Sequence, residues 1–280
     1  LRTNPITGKP IPWEFTKAGH HCNYAIASPH LMTFRASSAG FCDIDSANTS
    51  RLEGFRTGCR NSLVPANGVL NSPNMAHGCS CGYSLFTSLA LTHVPDSEVW
   101  SYSALAMNAK EDQVQQLGVN LGAPGDRQAE NGTLWLDYPS VGGSSPVVSL
   151  KLSGADLEYY HKHSSFVEEG DLKWVAASGV EGASALSVTL STVPTPERSY
   201  TVRLYFLEPQ DLKTGERVFD VSLQGKPVLP ELDILKAAGG ANRAIVREFN
   251  GVRCSTSLQV DLTAIKGRTL LSGVEIVVEK

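Results

Sequence analysis

The feature that most constrains the fold is the alternation of apolar and polar residues in short runs between turn residues. In residues 200–207 (YTVRLYFL), Val202, Leu204 and Phe206 fall on one face and the residues between them on the other. A period of two is typical of β-strands that are buried on one side. Comparable runs occupy residues 31–34, 84–93, 186–190, 218–223, 257–262 and 274–278. This spacing predicts an all-β protein with sandwich architecture.

The chain changes in composition between Trp100 and Leu121. Five of the six cysteines and five of the seven histidines precede this segment, and the regular strand pattern follows it. Residues 103–117 carry the best helical pattern, and Gly118 stands where a helix-ending glycine is expected. We therefore predict a cysteine-rich β segment over 1–100, a linker or short helix over 101–118, and a β-sandwich over 119–280.

The charge balance limits the partners of the chain. Lys and Arg number 24 against 28 Asp and Glu, a net charge of −4, so no basic face for nucleic acid or an anionic membrane is expected. The mean hydropathy of −0.11 and the absence of a long apolar run argue against membrane insertion. The chain opens without Met inside a strand-turn pattern, so we expect it to be part of a longer protein.

An even number of cysteines favours disulfides and an oxidising compartment, either periplasmic or secreted. The candidates are Cys22, Cys42, Cys59, Cys79, Cys81 and Cys254. Six cysteines allow 15 connectivities, and reduced core thiols remain the alternative. A metal site at His20, His21 and Cys22, with Cys79 and Cys81, is the less favoured option because its spacing is irregular and disulfides compete for the sulfurs. No cofactor is predicted.

The second half resembles the malectin family. The matching motifs are VNLGAPGD at 119–126, Phe206–Leu207–Glu208, VFDV at 218–221, Gly225, Leu232–Asp233–Ile234 and LSGVEIVV at 271–278. The resemblance implies an antiparallel, jelly-roll type β-sandwich that binds carbohydrate through aromatic and polar side chains on loops. Asp220 and Asp233 are interpreted as structural acceptors that pin loops.

The family's aromatic pair after the Phe–x–Glu strand is replaced here by Pro209–Gln210–Asp211, so other residues are needed to bind sugar. Substitute aromatic and histidine candidates are Trp135, Tyr138, Tyr159, Tyr160, His161, His163 and Trp174. We predict a site at Tyr138, Tyr159, Tyr160 and His161, since the run EYYHKH lacks strand alternation and is expected to be a loop. A tyrosine that plugs the end of the core is the competing interpretation, and Trp135 between Leu134 and Leu136 fits a core position.

The first half resembles the last part of pyrroloquinoline-quinone-type β-propeller proteins of planctomycete bacteria. The similar segments are TGKPIPW at 7–13, EGFRTGC at 53–59 and PANGVLNSPNMAHGCSCGY at 65–83. Cys22, Cys59, Cys79 and Cys81 match that pattern, and we expect at least two disulfides among them. Cys42 and Cys254 lie outside it, which raises the hypothesis of a Cys42–Cys254 bond.

No catalytic constellation stands out in the sequence. A nucleophile elbow of the form G-x-S-x-G is absent, and the Gly-rich run at 118–125 lacks the Lys–Ser/Thr ending of a phosphate loop. We predict a non-catalytic extracytoplasmic carbohydrate-binding module within a larger propeller-containing protein. The alternatives are a fragment of a quinone-dependent oxidoreductase and a purely structural interaction module.

Overall fold

The computed structural model describes residues 2–17, 22–45, 47, 49–60, 62–73, 78, 81–82, 88–92, 94, 97–101, 113–140, 146 and 148–279. Within these ranges the regular secondary structure is nearly all β-strand, and helical structure is limited to short segments. The all-β class predicted from the alternation is confirmed. The chain divides into two units, one of Leu1–Thr3 with Lys9–Ser97 and one of Asn4–Gly8 with Glu98–Lys280.

The first unit is built from short antiparallel strands. They are β1 (Arg2–Thr3), β2 (Pro10–Ile11), β3 (Ile26–Ala27), β4 (Leu31–Ala36), β5 (Ser38–Asp43), β6 (Thr49–Leu52), β7 (Val64–Ala66), β8 (Val69–Ser72) and β9 (Leu89–Thr92). β1 pairs with β2, strands β3 to β6 form one sheet in chain order, and β7 to β9 form another. Phe34 and Leu63 are fully buried in two small apolar clusters.

The second unit contains longer strands and two short helices. They are β10 (Gln116–Leu121), β11 (Arg127–Gln128), β12 (Leu134–Tyr138), β13 (Leu150–His161), α1 (Lys173–Ala176), β14 (Ser178–Thr189), β15 (Arg198–Phe206), β16 (Val218–Leu223), β17 (Lys226–Leu232), α2 (Ile234–Ala238), β18 (Ile245–Cys254), β19 (Ser257–Lys266), β20 (Leu270–Leu271) and β21 (Gly273–Val278). A 3₁₀ turn covers Ser164–Phe166.

These strands form two sheets that share one core. Sheet I has the order β11-β12-β10-β21-β15-β18, and sheet II has the order β13-β14-β19-β16-β17 with β20 paired to β14. Val202 and Ile276 of sheet I and Val221 and Val260 of sheet II belong to the same buried apolar cluster. Burying the apolar face of each sheet against the other is what holds a sandwich together.

The predicted antiparallel sandwich needs one correction, because β10 and β12 run parallel. The chain leaves β10, turns back through β11, and the β11–β12 hairpin then reverses it again. Two reversals restore the direction of β10, so a short hairpin on one edge of sheet I produces a parallel pair.

The segment 101–118 was predicted to be a linker or a short helix, and the helical alternative over 103–117 is wrong at its carboxyl end. Residues 102–112 lie outside the described ranges, and Gln116 and Leu117 begin β10, where they pair with Val277 and Ile276. Gly118 lies inside the strand and does not cap a helix. Ladder pairing and full burial of Leu117 outweigh the weak local preference for helix.

The two motif aspartates act as structural acceptors, in agreement with the sequence interpretation. Asp233 caps α2 by accepting from Lys236 N at 3.1 Å, and it also accepts from Gly215 N at 2.6 Å. Asp220 accepts from Glu231 N at 2.7 Å. Among the described residues, no helix combines the length and apolar character that crossing a membrane requires.

Candidate functional site

One cross-strand row runs over the outer face of sheet I, the face turned away from the core. Following the register from β11 to β18, its members are Arg127, Trp135, Gly118, Glu275, Arg203 and Glu248. A neighbouring row on the same face, two residues from Arg203 on β15 and from Glu275 on β21, contains Tyr205 and Gly273. Side chains that face each other in this way interact across the strands. The outer face of the sheet therefore carries one aromatic end and one charged end.

The aromatic end continues beyond the sheet as a chain of edge-to-face ring contacts, here called the aromatic row. Its members are Tyr205, Trp135, Trp174, Trp100 and His161, with successive ring centroids 5.1, 5.8, 5.9 and 5.9 Å apart. Such separations are typical of favourable aromatic pairs. The exposed His161 forms the outer end of the row, and the buried Tyr205 and Trp135 form its inner end.

Two glycines make room for the Trp135 indole on the sheet. A Cβ at Gly118 would lie 2.1 Å from Trp135 Cδ2, and a Cβ at Gly273 would lie 3.1 Å from its Cζ3. Both distances are below ordinary van der Waals contact, so the indole rests directly on the backbone. Helix α1 then covers it with Trp174 and with Val175, which also contacts the Gly273 position.

Arg127 lies over the middle of the aromatic row. Its guanidinium carbon is 4.8 Å from the ring centroid of Trp174 and 5.8 Å from that of Trp100. Both distances are within the range of cation–π attraction. The β11–β12 hairpin positions Arg127 directly opposite Trp135 in the ladder. The hairpin therefore holds Arg127 next to Trp135, the ring against which Trp174 packs.

An open groove of about 770 Å³ lies beside this cluster, here called the outer groove. It is lined by the hairpin residues 127–131, residues 171–174, and outer-face residues of β15, β18 and β21. Its volume is within the usual range of about 300–1,000 Å³ for small-molecule sites. Trp174 and Tyr205 contribute its aromatic surface.

The charged end of the outer groove is organised by Arg203. Its guanidinium donates to Glu248 Oε2 at 2.6 Å and to Glu275 Oε2 at 2.7 Å. Glu275 is almost fully buried and also accepts from Thr133 Oγ1 and from Asn131 Nδ2 at 3.1 Å. The hydrogen bond from Arg203 lowers the pKa of Glu248. These contacts hold the polar groups of the groove in fixed positions.

Tyr205 presents a protonated hydroxyl to the outer groove. Burial raises the pKa of Tyr205, and the nearby Glu275 carboxylate raises it further. The phenol is therefore a hydrogen-bond donor throughout the neutral range.

The run Tyr159–Tyr160–His161 was predicted to be a loop, and this is wrong: it forms the end of β13. The strand pairs Tyr159 with Val180 and His161 with Ser178. Because side chains alternate along a strand, Tyr159 and His161 share one face and Tyr160 points to the other. Tyr159 is 37% exposed, and His161 is exposed and contacts Trp100. His163 accepts from Ser165 N and so caps the 3₁₀ turn.

Tyr160 fits the competing interpretation, in which a tyrosine plugs the core. Its ring packs against the main apolar cluster, and its hydroxyl lies 3.2 Å from Ser272 Oγ and 3.5 Å from Leu207 O. Burial raises the pKa of Tyr160.

Tyr138 lies at the end of β12, half-buried against the main cluster. Burial raises the pKa of Tyr159, and the electrostatic interaction with Tyr138 raises it further. Of the predicted site residues, Tyr159 and His161 lie together on one exposed face of β13, and His161 contacts the aromatic row through Trp100.

Replacing Tyr160 with phenylalanine should lower the free energy of unfolding by about 0.5–1.5 kcal/mol, the usual net value of one hydrogen bond. The effect arises because Ser272 Oγ loses its partner in a buried place. Urea unfolding followed by tryptophan fluorescence measures it. Tyr159→Phe is the matched control, and equal losses in the two variants would contradict the inward orientation of Tyr160.

The predicted disulfides receive no support from the structure. The described cysteines Cys22, Cys42, Cys59, Cys81 and Cys254 are all free thiols, and Cys79 lies outside the described residues. Cys42 Sγ contacts the carbonyl oxygen of Asp43, and Cys59 Sγ accepts from Arg35, so neither sulfur is directed at another. His20 and His21 also lie outside the described ranges, and the described residues contain no group of three metal-ligating side chains.

Comparison with known proteins finds similarity for part of the second unit. Residues 187–277 match the Malectin domain family. A probable receptor-like protein kinase of Arabidopsis thaliana is 29% identical over 161 residues, which is 51% of this chain and 19% of the relative. A probable LRR receptor-like serine/threonine-protein kinase of the same plant is 34% identical over 95 residues, 31% of this chain and 9% of the relative. The chain therefore spans less than a fifth of either relative.

Similar solved structures include a β-glucuronidase of Bacteroides uniformis, with 15% identity, a TM-score of 0.47, and coverage of 92% of this chain and 28% of that one. The extracellular domain of ANXUR2 from Arabidopsis thaliana has 15% identity and a TM-score of 0.43, covering 59% of this chain and 49% of that one. The family match supports the malectin resemblance of the second half. The predicted propeller segment in residues 1–100 is not supported.

The site predicted from the sequence included neither Trp100, Arg127 and Tyr205 at the aromatic end nor Arg203, Glu248 and Glu275 at the charged end. A signal for Arg127 was present, because the Asn131–Gly132 turn places Arg127 opposite Trp135 in a hairpin. Trp100 and Trp174 are far apart in the chain, and no local pattern connects them.

Proposed function

We propose that the second unit is a non-catalytic carbohydrate-binding module that works outside the cytoplasm, in the periplasm or after secretion, as part of a larger protein. The observation that carries this proposal is the aromatic row beside the outer groove. The match of residues 187–277 to the Malectin domain and the similarity to receptor-like proteins support it. An oligosaccharide or glycan is the expected ligand, and no nucleic acid or membrane is expected to bind.

The chemistry of the outer groove suits a sugar. The CH faces of a pyranose pack against aromatic rings, and Trp174 and Tyr205 supply these on one side. Hydroxyl groups need fixed donors and acceptors, which Arg203, Glu248 and Asn131 offer on the other side. Tyr138, Tyr159 and His161 would extend the contact area along the aromatic row for a longer chain.

The charges of the outer groove favour a neutral saccharide over a polyanion. Three cationic and four acidic side chains line it: Arg127, Lys173, Arg203, Glu130, Asp171, Glu248 and Glu275. Arg203 pairs with two of the carboxylates, and the acidic side chains outnumber the cationic ones, so the groove has no net positive charge to attract an anionic ligand. Because the opposite charges of these side chains offset each other, the groove offers hydrogen-bond donors and acceptors for the hydroxyl groups of a neutral sugar.

Tyr205→Phe should weaken binding of a neutral oligosaccharide by a factor of about five to ten, equivalent to roughly 1 kcal/mol for one hydrogen bond. The full chain is titrated with a panel of neutral gluco-, manno- and galacto-oligosaccharides up to millimolar concentration, with backbone amide shifts as the readout. The change removes a single hydroxyl from the groove and leaves the ring in place.

Tyr200→Phe is the matched control, since Tyr200 lies on the same strand but faces the core, where its hydroxyl donates to Val114 O at 3.3 Å. The Tyr200→Phe variant should bind the neutral oligosaccharide with the same affinity as the wild type. Tyr159→Ala tests the extension along the aromatic row. If no neutral oligosaccharide moves amide peaks around the groove or around Tyr159, the proposal is wrong and a purely structural interaction module replaces it.

A further inference from the structure

The two sheets of the second unit have four edge strands, and three of these are poorly suited to pair with a further strand. β11 has two residues, β17 contains Pro227 and Pro230, and β13 leaves residues 155–157 out of its ladder with β14. Short strands, prolines and bulges are the usual devices that prevent association at sheet edges. The fourth edge, β18, has ten residues and no proline, and no strand of the described ranges pairs with its outer side.

A single bulge in β18 determines which of its side chains share a face. Asn250 and Gly251 together oppose Thr201 of β15, and Gly251 has a φ of 69°. One extra residue reverses the alternation beyond it. Phe249 before the bulge and Val252 after it therefore both lie opposite core-facing residues of β15.

The outer face of β18 carries one acidic and one basic residue at equal distances from the bulge. Glu248 lies two residues before Asn250, and Arg253 lies two residues after Gly251. Their side chains remain 46% and 61% exposed, so a partner can reach both. A strand with this charge pattern is complementary to a reversed copy of itself.

One antiparallel register satisfies both faces of the strand. When Asn250 lies opposite the partner's Gly251, Phe249 lies opposite the partner's Val252 on the inner face. Glu248 then lies opposite the partner's Arg253 on the outer face. A shift of one residue would set core-facing side chains against outward-facing ones, and a shift of two would set a bulge against regular strand.

We propose that two copies of this chain associate through β18 in this register, so that their copies of sheet I form one continuous sheet. An open groove of about 610 Å³ lies beside β18, and its apolar lining consists of Leu223, Val228, Phe249 and Val252. The apolar pair of the second copy extends this lining. Because one strand pair forms a small interface, we expect a dissociation constant in the micromolar range.

The charges of the two copies continue each other across this interface. Arg253 already pairs with Glu197 at 3.3 Å, and Glu248 pairs with Arg203 at 2.6 Å. In the dimer these pairs join into a row of alternating sign at each end of the ladder. Each added contact is a cross-strand pair of opposite charges, which stabilises a sheet.

The dimer would also place two outer grooves on the same side of the continuous sheet, because inner faces meet inner faces. This consequence rests on the proposed saccharide-binding function, whereas the association itself does not. A glycan with several identical units could then occupy both grooves, which raises the apparent affinity without a new contact.

Sedimentation velocity of the full chain from micromolar to millimolar concentration tests the proposal without any saccharide. The mass should rise from 30.0 kDa to twice that value. Glu248→Arg and Arg253→Glu each set like charges opposite each other at both ends of the ladder, so each should weaken self-association about tenfold or more. Glu158→Arg, at the exposed ion pair with Arg268 on the β13 edge, is the matched control and should dimerise like the wild type.

A mixture of the two interface variants tests the register itself. One variant carries two cationic side chains at these positions and the other carries two acidic ones. Heterodimers should therefore form although each variant associates poorly with itself, and the double variant Glu248→Arg, Arg253→Glu should recover self-association. A wild type that stays monomeric at every concentration would overturn the proposal. Dimers that neither single variant weakens, or variants that the mixture does not rescue, would overturn it as well.

Discussion

Replacing Arg217 with methionine should lower the free energy of unfolding of the second unit by about 3–5 kcal/mol, the range observed when one partner of a buried ion pair is removed. Arg217 is 4% exposed, and its Nε donates to Glu208 Oε2 at 2.6 Å. Its Nη1 donates to Glu181 Oε2 at 3.2 Å. Without the guanidinium, the buried Glu208 would lose its cation, and the neighbouring Glu181 would keep only Arg268, whose Nη1 lies 4.0 Å from its Oε2.

The pH dependence of this loss identifies its cause. Burial raises the pKa of Glu208 even in the intact protein, and the neighbouring Glu181 carboxylate adds to the effect. Removing Arg217 takes away the group that favours the charged form, so Glu208 should take up a proton more readily. Proton uptake neutralises one unpaired charge, and the destabilisation should therefore shrink as the pH is lowered from neutral toward about 5. Urea unfolding at several pH values, followed by tryptophan fluorescence, measures it.

Arg253→Met provides the matched control. Arg253 pairs with Glu197 at 3.3 Å, and both side chains are more than half exposed. The same substitution there should change the stability by no more than about 1 kcal/mol, as for most surface ion pairs. The combined variant Arg217→Met, Glu208→Leu and Glu181→Met should recover much of the loss, since it removes the unpaired charges as well. Equal effects of Arg217→Met and Arg253→Met would contradict the buried ion-pair assignment.

Regular strands were predictable because their signal is local. The predicted strand 218–223 coincides with β16, and Phe219 and Val221 face the core as the alternation indicates. The turn at Gln224–Gly225 was also predictable, and both residues have the positive φ angles of a tight hairpin. In these segments the local preference and the tertiary environment agree.

The end of β13 was not predictable by the same route. Register shifts near Gly154, with a positive φ at Asp156, interrupt the alternation before Tyr159 is reached. Bulges change which face a residue occupies, so a pattern read from one end of the strand fails at the other. Pairing with β14, a long-range interaction, decides that Tyr160 points inward and Tyr159 outward.

The candidate site depends even more on long-range order. The row from Arg127 to Glu248 exists only because six strands take a particular order and register. Sequence patterns indicate where strands lie more directly than they indicate which strands pair. In the sequence, Arg203, Glu275 and Glu248 are therefore ordinary polar positions of separate strands. Trp135 was correctly suspected as a core position, but the layer of aromatic side chains above it could not be inferred.

Replacing Gly118 with alanine should lower the free energy of unfolding of the second unit by about 1–3 kcal/mol, the usual cost of overpacking a buried site. The new methyl group would lie 2.1 Å from Trp135 Cδ2 and 2.5 Å from its Cγ, which are ring atoms of a fully buried side chain. The indole has no room to retreat, because Trp174 and Tyr205 both pack against it. Thermal and urea unfolding measure the loss.

Gly82→Ala is the control, since a Cβ at Gly82 has no atom of the described residues within 4 Å, and its expected effect is within about 0.5 kcal/mol. Trp135→Leu provides the second arm, because a smaller side chain leaves space for the methyl group. In that background Gly118→Ala should cost clearly less than it does alone, which a double-mutant cycle reports as a coupling energy between the two positions. If Gly118→Ala lowers the free energy of unfolding equally with Trp135 and with Trp135→Leu, the indole does not rest on Gly118. The close packing of Trp135 on this part of the sheet would then be wrong.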